Sequence, residues 1–200
     1  MMPVMDGLEF TRQLKADTAT SHIPVILLTA RTLDEQQAEG YATGADSYIT
    51  KPFSGKVLLT RIDNLLNSRR QLRQLFAGSV PQADSQAAAG QGVGDRDVLF
   101  IGRLRETIQR NLGDSELSVE HIGEEMGLSR VQLYRKVKAL TGQSPVELLR
   151  TARLQRGKRL LETTDMTIAE VAYDVGFSSP SYFAKCFKDE FGVSPREYNQ

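Results

Sequence analysis

The stretch "MTIAEVAYDVGFSSPSYFAKCFKDEFGVSPREY", residues 166–198, holds two short amphipathic runs joined through a glycine. A second stretch, "LSVEHIGEEMGLSRVQLYRKVKALTGQSPVEL", residues 117–148, repeats the pattern. Gly127 and Gly176 lie 49 residues apart, while the pairs Gly142/Gly192 and Pro145/Pro195 each lie 50 apart. A repeat at near-constant spacing marks one supersecondary unit used twice. In the first copy Ser118 is placed to cap a helix whose first turn holds Glu120 and His121. Val119, Ile122 and Met126 form an apolar stripe on it. Gly127 supplies the left-handed backbone of a tight turn. Ser129 then caps a second helix, on which Leu133, Val137 and Leu140 face inward. Thr167, Ile168, Val171, Val175, Gly176, Ser178, Phe183 and Phe187 take the matching places in the second copy. Two short helices joined by a glycine turn make a helix-turn-helix.

The second helix of such a unit enters the DNA major groove with its early residues at base edges. Its outward side in the first copy offers Arg130, Val131, Tyr134, Arg135 and Lys138. In the second copy it offers Ser179, Pro180, Ser181, Tyr182, Lys185 and Lys188. An arginine fork suits the guanine O6/N7 pair, and an apolar Val131 suits a thymine methyl. A merely solvated helix face is the blander reading. Corresponding cations in the two copies, Arg135 and Lys185, count against it.

Charge is unevenly spread. The whole chain carries 25 basic and 25 acidic residues, so its formal net charge is zero. Residues 129–159 nevertheless hold nine basic residues and the single acid Glu147, and such a local excess outweighs the total. The segment joining the copies, "VELLRTARLQRGKRLLET", places Leu148, Leu149, Ala152 and Leu160 on an apolar side and Arg150, Arg153 and Arg156 elsewhere. Pro145 suits its first turn. A helix over 146–162 spans ~25 Å, a rod able to hold two reading helices about one DNA turn, ~34 Å, apart. Its arginines are expected at phosphates, where they supply affinity without sequence preference.

Upstream, "AGSVPQADSQAAAGQGVGD", residues 77–95, is poor in large apolar residues and reads as a flexible linker. We take 77–97 as that linker, between a unit over 1–76 and an all-helical unit over 98–200. The first unit alternates helix and strand. "GLEFTRQLKAD" has helical spacing. "IPVILLTA" is a continuous apolar run, as in a strand covered on both faces. "LDEQQAEGYATGA" reads as a polar helix ending near Gly44, and "DSYITKPF" as a second short strand closed by proline. A long helix follows from about Ser54. Helices between buried strands imply a parallel α/β sheet. In the last helix Leu58, Ile62, Leu65, Arg69, Leu72 and Phe76 follow a heptad seam with one charged interruption. That seam either packs on its own sheet or pairs with a second copy of the chain.

On "VAYDVGFSSPSYFAKCFKDEFGVSPREY" and the weaker first copy, the second unit resembles the AraC/XylS-type transcription regulator domain over its whole length. The resemblance implies seven helices with two helix-turn-helix motifs that bind double-stranded promoter DNA. It places Val131, Tyr134, Arg135, Pro180, Ser181 and Lys185 at base-facing positions. Pro180 and Ser181 are poor hydrogen-bond readers, so the second copy is expected to contribute shape and phosphate contacts more than base readout.

The first unit resembles the C-terminal part of a two-component receiver domain, a truncated flavodoxin-like fold, through "MPVMDG", "PVILLTA" and "YITKP". The resemblance makes Thr29 the switch hydroxyl, Tyr48 the aromatic that moves with it, and Lys51 the lysine that pairs with a phosphoryl group. It also implies a peptide bond before Pro52 that is often cis. The family's phosphoacceptor aspartate falls two residues upstream of Met1, and its earlier strands and acidic pair are not in this chain. These residues are therefore expected to take no phosphoryl group at that site and to bind no magnesium. The "IPVILLTA" strand is expected to have an unpaired edge, leaving residues 1–76 less stable than 98–200 or paired with another copy. An upstream sensor kinase module is the implied partner if the chain is the tail of a longer regulator.

The remaining readings concern class. No apolar run approaches the ~20 residues that span a bilayer, and one cysteine, Cys186, fits a reducing cytoplasm. His22 and His121 lack a ligand cluster or nucleophile nearby. Cys186 lies between Phe183 and Phe187 and reads as a packed small residue. We expect a cytoplasmic DNA-binding transcription regulator with no enzymatic activity, metal or cofactor. The alternative is a phosphorelay or dimerisation module acting through its receiver half.

Overall fold

In the computed structural model of the protein, residues 5–30, 43–77 and 95–199 are described. Helix α1, Gly7–Ala16, starts where the Asp6 side chain accepts from the Glu9 N–H. Two strands follow, β1 (Ile26–Thr29) and β2 (Ser47–Thr50). They pair in parallel, in register from Ile26↔Ser47 to Thr29↔Thr50. Ile49 is buried, but Leu28 is 43% exposed. The apolar strand is therefore not covered on both faces at Leu28, and among the described residues the sheet has two strands. The polar helix expected over 33–45 lies mostly outside the described residues, and Gly44 has a φ of 75°. The Lys51–Pro52 peptide is cis.

Helix α2, Gly55–Ala77, carries the heptad seam. Leu58, Ile62, Leu65 and Arg69 are its half-buried residues, so the period was legible. Arg69 is no interruption at a dimer seam. Its guanidinium lies 4.0 Å from Asp46, which also accepts from Lys15 at 2.7 Å and from the Val25 N–H at 2.8 Å. One carboxylate thus gathers α1, α2 and the entry to β1, and the seam packs on its own unit at this position. The side chains of Leu72 and Phe76 lie outside the described ones.

The rest of the chain is helical, with seven helices among the described residues: α3 (Asp95–Arg110), α4 (Val119–Met126), α5 (Arg130–Thr141), α6 (Pro145–Thr163), α7 (Ile168–Asp174), α8 (Pro180–Phe191) and α9 (Pro195–Tyr198). Their starts follow local chemistry. Ser118 accepts from the His121 N–H, and Ser144, Thr167 and Ser194 each form a reciprocal capping box with Glu147, Glu170 and Glu197. Gly127, Gly142, Gly176 and Gly192 all have positive φ. Helix α6 packs against α7, α8 and α9. The core there contains Leu154, Leu161, Val171, Val175, Phe177, Phe183, Cys186 and Phe187. The most buried leucines of α6 are Leu149, Leu154 and Leu161, not the full stripe expected from the sequence. A helix packed by several partners has apolar residues around more of its girth than one stripe.

Two boundaries differ from expectation. Helix α3 begins at Asp95, and Asp97, expected in the linker, is buried. Most of the linker, 78–94, lies outside the described residues. The chain divides into two compact units, one of residues up to Phe100 together with Arg135–Gly142, the other of Ile101–Tyr134 together with Gln143–Gln200. The second half of α5 therefore groups with the first unit, against the expected cut at residue 98.

Candidate nucleic-acid interface

Helix α5 has two unlike sides. Leu133, Lys136, Val137 and Leu140 are buried, while Val131 and Tyr134 are 56% and 49% exposed. Arg130, Arg135 and Lys138 are exposed with them. Arg130 forms an ion pair with Glu120 at 2.8 Å, a solvent-facing contact of small worth that a phosphate or base can replace. The structure thus brings together all five candidates of the first copy on one exposed side.

The second copy follows the same plan with a different chemistry. Phe183, Cys186 and Phe187 face inward on α8, and Ser181, Tyr182, Lys185 and Lys188 are exposed. Ser179 and Pro180 are only partly exposed. The Ser179 hydroxyl oxygen accepts from the Tyr182 N–H as the helix cap, and Pro180 occupies the first turn. Ser179 therefore has a folding role before any contact with a partner.

Two of the nine basic residues are not at the surface as expected. Lys136 is 1% exposed. Arg153 is half-buried, and its guanidinium donates to the backbone carbonyls of Leu112 and Asp114. A third, Arg156, pairs with Asp174 at 2.9 Å. Arg153 holds a loop carbonyl pair rather than waiting for phosphate. Sequence reading missed this because an inward arginine is betrayed only by its tertiary acceptors.

The receiver-like residues meet in part. Thr29 and Tyr48 line a cavity of about 220 Å³ together with Asp6, Gly7, Leu8, Leu27 and Leu28. The Tyr48 hydroxyl lies 2.8 Å from that of Thr43. Lys51 is exposed and does not line the cavity; its N–H donates to the Thr29 carbonyl at 2.6 Å. Asp6 supplies the cavity's carboxylate, and its Oδ1 is engaged by the Glu9 N–H. Among the described residues no three His, Cys, Asp or Glu side chains come together as a metal site.

His22 is buried, and its Nδ1 has no hydrogen-bond partner among the described residues. Burial, reinforced by the Lys136 charge and opposed by Asp97, lowers its pKa below the ordinary 6.5. The unfolded chain then takes a proton before the folded one as pH falls, so this histidine makes stability fall with pH below about 6.5. His22→Asn should lose that part of the acid sensitivity. Thermal unfolding at about pH 7.5 and about pH 5.5 checks this, and an unchanged difference between the two midpoints would count against it.

Residues 122–200 match the helix-turn-helix domain family and residues 1–63 the response regulator receiver domain family. The chain is 36% identical over 99% of its length to histidine kinase P4 of Formosa agariphila, of which it covers 14%. It is 50% identical over 62 residues to the phosphate regulon transcriptional regulatory protein PhoB of Escherichia coli, covering 31% of this chain and 27% of that one. The C-terminal domain of AraT, a response regulator from Geobacillus stearothermophilus, is a similar solved structure, with 35% identity, 50% of this chain and 83% of that chain covered, and a TM-score of 0.48. The chain thus spans about a seventh and about a quarter of these two relatives' lengths.

Two domain families thus match separate parts of the chain, a response regulator receiver domain at residues 1–63 and a helix-turn-helix domain at residues 122–200. The alternative of a phosphorelay or dimerisation module is not favoured. No helix among the described residues is long and apolar enough to cross a membrane.

Proposed function

We propose that the chain binds double-stranded promoter DNA in the cytoplasm as the output part of a phosphorelay-controlled regulator, with a sensor kinase module as its upstream partner. The observation that carries this reading is the two-sided α5, with Leu133, Val137 and Leu140 buried beneath exposed Val131, Tyr134 and Arg135. Helix α5 reads one major groove through Arg130, Val131, Tyr134, Arg135 and Lys138. Helix α8 enters the next, where Ser179, Pro180 and Ser181 fit the groove by shape and Lys185 and Lys188 meet phosphates. The 19 residues of α6 make a rod of about 28 Å, near the ~34 Å of one duplex turn. Residues 1–76 act as the receiver part and the helices from Asp95 onward as the DNA-binding part. The chain performs no chemistry of its own. The Leu58–Arg69 part of the seam serves intramolecular packing, since Arg69 faces Asp46 of the same unit.

The test is selection of bound duplexes from a random pool by the full chain, followed by anisotropy titrations. Affinity should fall at least about tenfold between ~50 and ~200 mM salt. Arg135→Ala should relax preference at one base position by about 1–3 kcal/mol. An equal loss on every sequence would make Arg135 a phosphate contact, and no binding at low salt would overturn the reading.

A further inference from the structure

Lys136 lies on the buried side of the proposed reading helix, where a lysine is costly unless fully partnered. Its partners come from far away in sequence. The Nζ donates to the Thr18 carbonyl at 2.6 Å and to the Ser21 Oγ at 2.6 Å. It lies 3.1 Å from Asp97 Oδ1 and 4.5 Å from the centre of the Phe100 ring. The Ser21 hydroxyl in turn donates to Asp97 Oδ1 at 3.2 Å. An ammonium has three protons, and three acceptors surround this one. Burial pulls the Lys136 pKa down, and Asp97 acts against that.

A second bond meets the same half of α5. Arg73 Nε donates to the Ala139 carbonyl at 2.9 Å, one of the last-turn carbonyls that a helix leaves without an internal partner. Arg96 ties the start of α3 to the Lys15 carbonyl at 2.6 Å. Residues 135–142 thus group with the first unit through specific bonds and not through apolar contact alone. A buried ion pair is weak evidence for stability, since an apolar pair of the same size does as well or better. What it fixes is location, because an ammonium cannot slide away from its acceptors without losing them.

We propose that Lys136 is a positioning residue for DNA reading: Thr18, Ser21 and Asp97 hold it, and through it the receiver part sets the place of α5 and of Arg135 beside it. This rests on α5 being a reading helix. Lys136 touches no DNA itself. Arg135, the preceding residue, is exposed while Lys136 is anchored inward, so a shift of the 17–22 segment changes the aim of Arg135. Residues 135–142 of the reading helix are then tied to the receiver part by named bonds.

The experiment uses the full chain and a duplex selected from a random pool by the unmodified protein, beside a scrambled duplex of the same length. Ser21→Ala removes one acceptor and lies in the receiver part. It should weaken binding to the selected duplex by about tenfold and leave the scrambled duplex unaffected. Amide hydrogen exchange should speed up in residues 133–142. Lys136→Met should act in the same direction and more strongly, and Lys136→Met with Asp97→Asn should recover part of the loss, because no buried charge is left unpaired. Unchanged exchange and unchanged affinity in Ser21→Ala overturn the proposal, as does an equal loss on both duplexes. Arg135→Ala separates the two ideas. If it leaves sequence preference intact, the reading helix is wrongly assigned, and the exchange result still decides whether Lys136 anchors α5.

Discussion

Gly176→Ala is expected to destabilise the second unit by about 3 kcal/mol, lowering its unfolding midpoint by about 10 °C or more. Two effects add. The backbone at Gly176 has a φ of 82°, where a Cβ costs about 1–2 kcal/mol. A Cβ built there meets the Leu112 carbonyl oxygen at 2.6 Å and the Arg153 guanidinium at 2.9 Å. The new methyl must displace the arginine that holds Leu112 and Asp114. Gly127→Ala is the control, since its φ is 68° but nothing lies within 4 Å of an added Cβ. It should show the conformational cost alone. If the two alanines cost the same, the close approach at Gly176 contributes nothing and the argument is wrong. Thermal unfolding of the full chain, followed by far-UV circular dichroism, decides it.

Phe187→Ala is the second large effect, about 3–5 kcal/mol. Phe187 is fully buried, and its ring lies 5.6 Å from Phe183, 4.5 Å from Phe191 and 5.6 Å from Tyr198 between centroids. Truncation removes three edge-tilted ring contacts and leaves a cavity that α6 and α8 cannot close without moving. Phe191→Ala, at a partly exposed ring, should cost less than half as much. Denaturant titration separates the two. A small loss at Phe187 would mean that the aromatic cluster collapses onto the gap.

Much of the helical unit was legible because its punctuation is local. Ser118, Thr167, Gly127 and Gly176 do at the helix ends what their types predict, and α6 ends within one residue of expectation at each side. The capping glutamates Glu147, Glu170 and Glu197 carried the same message three residues on. What failed was the sidedness of charge. Lys136 is three residues after Leu133 and four before Leu140, so it lies on the apolar stripe by spacing. Its charge argued for the surface, and only acceptors from residues 18, 21 and 97 reverse that. Asp97 was lost to the linker because composition averages over neighbours. Arg153 needed the bare Cα of Gly176 to make room, a fact of packing between distant segments. Leu28 shows the opposite case, an apolar strand residue that is 43% exposed.

The division of α5 and α8 into an inward and an outward side separates two kinds of selection. Substitutions at Val131, Tyr134 or Arg135 meet solvent and leave stability within about 0.5 kcal/mol. Substitutions at Leu133 or Phe183 are removed by loss of the fold. The outward positions can therefore change without loss of the fold, and on the proposed DNA-binding reading a duplicated copy of such a chain can acquire a new target sequence in single steps without passing through an unfolded ancestor.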